Sequence, residues 1–156
     1  MSFLRKCAMA ATIVAVSAGG VAVSHWNENP AVKALHMVMG LYANHLGQLC
    51  EMAKGEVEYD AAAATAAAGN LAKLTQLNQM SMWPVGTDAD SIKGTRAKAE
   101  IWSNFPDVAA KGKALADASM AMETAAGESL QSLQAARGAV GGACGACHKP
   151  YRTPEN

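Results

Sequence analysis

Apolar positions recur at spacings of three and four through most of this chain. Val32, Leu35, Met39, Tyr42, Leu46, Leu49 and Ala53 make the first series, which is one inward face of a helix with 3.6 residues per turn. Asn29 before Pro30 supplies an N-cap and a first-turn residue, and Gly55 marks the end. A second helix opens at Tyr59-Asp60 and runs through an alanine-rich stretch, with Ala64, Ala67, Leu71, Leu74 and Leu77 or Asn78 in the same rhythm. Its low complexity is helix-forming, because alanine is the best helix former.

Trp83-Pro84, Gly86 and Asp88 break the rhythm between Ser81 and Gly94, which predicts a long connection followed by a short helical piece from Thr95 to Ser103. Pro106-Asp107 start another helix, with Val108, Leu115, Ala118 and Met122 inward, that ends at Gly127. The last runs from about Glu128 to Tyr151 with Leu130, Leu133, Val140, Cys144 and Cys147 inside. Four amphipathic helices without an internal repeat predict an all-α fold, an antiparallel four-helix bundle over residues 25–156. Gly138, Gly141 and Gly142 weaken the last helix. Something large lying flat against it would account for them.

Composition agrees, since 51% of the residues are hydrophobic but only 5% aromatic, which suits helices packed through small side chains better than a β-sandwich. Arg5 and Lys6 precede an uncharged apolar run from Cys7 to Val23, and Ala22-Val23-Ser24 offers small residues for cleavage. Residues 1–24 therefore read as a secretory signal peptide, with an uncleaved membrane anchor as the rival. Either implies export, and cleavage implies a periplasmic protein without stable membrane insertion. The chain has 13 basic and 13 acidic residues, and losing Arg5 and Lys6 with the leader brings the net charge to −2. A near-neutral chain lacks the clustered cations that nucleic acid requires, so no nucleic-acid partner is expected.

The chemistry lies in Cys144-Gly-Ala-Cys147-His148, the C-x-x-C-H pattern of covalent haem attachment. On a helix the two sulfurs share a face and can reach both vinyl groups of one macrocycle, while His148 directs a ring nitrogen at the iron. A zinc site would want four ligands, and no second cluster exists. A thioredoxin-like pair would need a βαβ setting, and a disulfide between residues three apart on a helix is geometrically poor. The cofactor expected is one covalent haem c with His148 as axial ligand. Cys50 is left over, and reads as a small buried apolar residue beside Leu49 and Ala53.

With that motif near the end of a four-helix bundle, the sequence resembles the cytochrome c-prime family, the class II c-type cytochromes, over most of the chain after residue 30. The likeness is most specific in Cys144-Gly-Ala-Cys147-His148-Lys-Pro-Tyr151-Arg152, and extends to Met52-Ala-Lys-Gly-Glu56 and Lys98-Ala-Glu-Ile-Trp102. The resemblance implies one of two distal arrangements. In five-coordinate members an apolar residue of the first helix covers the iron, which binds gases such as nitric oxide or carbon monoxide; in low-spin relatives a methionine there ligates the iron and the protein carries electrons. Alignment through Met52 to Glu56 puts Met39 at that position, and the inward stripe reaches Met39 independently. Met37 and His36 fall off the stripe, and His36 and His45 read as surface histidines. The family's arginine four residues before the distal position, a propionate partner, is here Leu35. Arg152, with Arg96 or Lys98, remains as a cationic partner, and Trp102 is expected near the haem edge.

These readings lead to the expectation of a periplasmic electron-transfer protein that is not an enzyme, with His148 and Met39 on the iron. The alternative is a five-coordinate gas-binding protein. No Ser/His/Asp set, phosphate-cradling loop or paired carboxylates can be placed. Partners would be redox proteins of unspecified identity, and the resemblance implies a homodimer through the first two helices.

Overall fold

A computed structural model describes residues 29–154. The signal segment and its cleavage position therefore lie outside the described residues. Four long helices form, α1 (Pro30–Lys54), α2 (Ala61–Thr75), α4 (Phe105–Ala126) and α5 (Leu130–Tyr151), with a single-turn α3 (Glu100–Ser103) and a 3-10 turn at Met80–Met82. They pack as an all-α four-helix bundle in which α1 lies on α2 and α5, and α4 closes the ring against both α2 and α5.

The helix ends follow the local chemistry. The Asn29 side chain accepts a hydrogen bond from Ala31 N at 2.9 Å, Asp60 accepts from Ala63 N, and Ser129 accepts from Ser132 N, each satisfying a backbone donor that has no intrahelical partner. Gly55 ends α1 in the left-handed region at φ 76°, which favours glycine.

Val38, Tyr42, Leu49 and Met52 from α1 meet Ala64, Ala67, Ala68 and Leu71 from α2, Met122 and Ala126 from α4, and Leu133 and Val140 from α5 in one core. Leu49, Met122, Leu133 and Val140 are fully buried, each worth about 1.5–3 kcal/mol of apolar transfer. The α2–α4 seam is built from small residues. A Cβ on Gly127 would run into the Thr65 hydroxyl, and one on Gly69 would stand 2.9 Å from Glu123 Oε1.

One expectation changes. The stretch from Thr95 to Ala99 is not helical, because its backbone pairs with the chain leaving α5: Ala97 bridges Arg152, Lys98 N donates to Tyr151 O at 3.0 Å and Thr153 N to Arg96 O at 2.9 Å. Tertiary pairing outweighs helix propensity there. Gly138, Gly141 and Gly142 are exposed, and a Cβ on any of them would meet open space. Among the described residues no helix is long and apolar enough to cross a membrane.

Candidate functional site

A cavity of about 780 Å³ opens between α1 and α5, within the range of roughly 300–1,000 Å³ for ligand and cofactor pockets. Cys144, Cys147, His148, Tyr151 and Arg152 line it from the α5 side, and Leu35, Met39, Tyr42 and Leu46 from α1. Val108, Lys111, Gly112 and Leu115 of α4 add a third wall, and Trp83, Arg96 and Ile101 close it from the connection.

All three motif residues thus face one cavity, as their spacing on α5 requires. Cys144 and Cys147 are free thiols, half-buried, and burial pushes both above the ordinary thiol range; beside Cys147, Lys111 opposes that shift. Burial lowers His148, and the cations of Arg152 and Arg96 lower it further, so the imidazole is neutral near pH 7 with a nitrogen lone pair available to a metal. Among the described residues no three His, Cys, Asp or Glu side chains converge as a metal cluster. Two thiols on the same helix face as a neutral imidazole, in a mostly apolar cavity of this size, fit a large flat group held covalently at one edge and ligated through its metal.

Met39 lines the cavity, partly buried, and packs against the core cluster. Met37 is 61% exposed and turned away. Arg152 lines the rim and is itself exposed. Trp102, expected near the haem edge, is not part of the lining. Its indole N–H instead donates to Trp83 O at 3.0 Å, and Trp83 is the tryptophan in the wall. His36 sits at the cavity rim. His45 is no surface histidine: it is half-buried in a separate shallow pocket between α1 and α2, and its Nδ1 is buried without a hydrogen bond. Cys50 is partly buried on α1, outside the cavity lining.

Two polar networks went unforeseen. Tyr151 donates to Asp107 Oδ2 at 2.6 Å and accepts from Asn104 Nδ2 at 2.8 Å, while Lys111 Nζ meets Asp107 Oδ1 at 3.1 Å. These hydrogen bonds, that from Tyr151 foremost, hold the Asp107 carboxyl below its usual range. On the other wall Tyr42 donates to Leu74 O at 3.0 Å and accepts from Gln79 Nε2 at 2.7 Å. The Asp107–Lys111 spacing of four on one helix was a legible signal, whereas nothing in the sequence joins Tyr42 to Gln79.

The chain matches the protein-family model described as Cytochrome C' over residues 30–152. It is 40% identical over 124 residues to the cytochrome c' of Cereibacter sphaeroides, covering 80% of this chain and 81% of that one. It is also 35% identical over 121 residues to a cytochrome c-554 of the same organism, with 78% and 79% covered. Among solved structures it is similar to cytochrome c' from Rhodobacter Spheriodes, at TM-score 0.78 and 44% identity, covering 80% of this chain and 96% of that one. A ferrous variant of the Alcaligenes xylosoxidans cytochrome c' with bound NO aligns at TM-score 0.69 and 32% identity, covering 80% and 94%.

Proposed function

Because the chain belongs to the cytochrome c-prime family, whose members carry one covalent haem c, we propose that it binds small diatomic gases such as nitric oxide and carbon monoxide at that haem. Cys144 and Cys147 would hold the group through thioethers, with His148 on the iron and Arg152 at the rim. When bound, the haem would supply an iron able to take a diatomic gas. Everything else falls to the side chains. Burial keeps His148 neutral and ready to coordinate, and Leu35, Met39 and Leu46 give the α1 wall an apolar covering that limits water.

The observation that carries this reading is the apolar α1 wall, where Leu35, Met39 and Leu46 line the cavity and Met39 and Leu46 pack against the core cluster, the kind of covering the family resemblance associates with five-coordinate members. The related structure with bound NO supports it. That relative favours gas binding over the electron transfer expected from the sequence. Electron transfer with Met39 on the iron is the second reading, favoured by the fact that Met39 also lines the cavity across from the α5 motif. A cleaved leader would make the site periplasmic.

Absorption and resonance spectra of the ferrous and ferric protein test the choice. Gas binding expects a high-spin iron that takes up carbon monoxide at once. A low-spin iron in both states that opens only in a Met39→Ala variant would reject it for electron transfer.

A further inference from the structure

The α1 wall of the cavity is not wholly apolar. Tyr42, one turn beyond Met39, is buried yet lines the cavity, and so does Gln79 from the segment after α2. The Tyr42 hydroxyl has one proton, given to Leu74 O at 3.0 Å, and its lone pair receives Gln79 Nε2 at 2.7 Å. The phenol is thus committed as a donor and acts toward Gln79 as an acceptor. A carboxamide has two N–H donors; the bond to Tyr42 uses one of them, which leaves the second on a half-buried side chain that lines the cavity. Thr75, another polar group in this lining, gives its hydroxyl proton to Ala72 O. Burial raises Tyr42 above the ordinary phenol range, which keeps it a neutral acceptor.

We propose that Gln79 is a specificity-determining hydrogen-bond donor to the gas bound on the α1 side of the haem, and that Tyr42 is the positioning residue that holds its amide at the cavity. The proposal rests on the gas-binding reading and deepens it. A donor aimed at the outer atom of a ligand stabilises ligands that draw negative charge onto that atom. Nitric oxide gains by this more than carbon monoxide, whose bound form is less polar.

The test uses the ferrous holoprotein with carbon monoxide as a vibrational probe, together with nitric oxide dissociation rates. Gln79→Leu is expected to raise the C–O stretching frequency and to speed nitric oxide release roughly fivefold, the weight of one ordinary hydrogen bond, with carbon monoxide release little changed. Tyr42→Phe should move the stretch the same way but less, since the donor survives and only its anchor is lost. A role confined to packing would leave the stretch where it was. Gln79→Met, which keeps the length of the side chain, replaces Gln79→Leu if the latter fails to fold. Each variant is also made in a Met39→Ala background. A protein that excludes gas until Met39 is removed sinks the gas-binding reading while the frequency in that background still reports on Gln79. An unchanged stretch on replacing Gln79 in both backgrounds overturns the proposal.

Discussion

The indole N–H of Trp102 donates to the backbone carbonyl of Trp83 at 3.0 Å, so one tryptophan fixes the course of the loop that presents the other to the cavity. Trp83→Ala should alter the haem absorption and circular dichroism by opening the wall. Trp102→Phe should leave those spectra close to the original and cost about 1 kcal/mol of stability from the lost hydrogen bond. The opposite pattern, with spectra sensitive to Trp102 and indifferent to Trp83, would reject this division of roles.

Covalent attachment is expected through both thiols of the motif. Haem should stay with the denatured protein through acid and solvent extraction, and a Cys144→Ser plus Cys147→Ser variant should lose it. Haem that extracts from the unaltered protein would refute the assignment.

The sequence made the four long helices legible because each carries its own information: Asn29 and Asp60 as caps, Gly55 and Gly127 as stops, and an apolar stripe between them. That Cys144, Cys147 and His148 converge on one cavity was legible for the same reason, since they lie close together on one helix. Trp102 lies outside the cavity lining, its indole held by the Trp83 carbonyl, a contact between segments 19 residues apart that no local pattern encodes. Gln79 escaped notice on the same ground, since its partner Tyr42 lies on another helix.

Asp107 gives a pH dependence. Hydrogen bonds from Tyr151 and Lys111 lower its folded pKa, so the unfolded chain binds the proton more readily. The stability it contributes is present above the unfolded carboxylate value of about 3.9 and is lost as pH falls through the lower folded value. In urea unfolding Asp107→Asn should therefore be less stable than the unaltered protein near neutrality, the gap narrowing in acid. A gap that stays constant down to the acid limit would contradict the assigned shift.

The α2–α4 seam leaves no room at Gly127, where an added Cβ meets the Thr65 side chain. Gly127→Ala should cost about 1–3 kcal/mol, and Thr65→Ala in the same chain should recover part of it, a coupling that a double-mutant cycle measures. Strict additivity of the two changes would argue against the contact.

Export predicts that intact mass places the start of the mature chain close to His25 in the periplasmic fraction. A species retaining residues 1–24 in the membrane fraction would favour the anchor instead.

The alanines of the seam also divide the molecule thermodynamically. Ala64, Ala67, Ala68, Ala72 and Ala126 are buried there, and alanine has no side-chain rotamers to surrender on folding. Met39 and Met80 line the cavity and Met82 packs against the core near it, and ordering one methionine side chain can cost roughly 1.5–2 kcal/mol. These five alanines enter the core with no rotameric loss, so the cost there falls on larger neighbours such as Leu71 and Met122. At the cavity Met80, which is 61% exposed, keeps most of that entropy. The bundle thus keeps its remaining freedom at the wall that must fit itself around a guest.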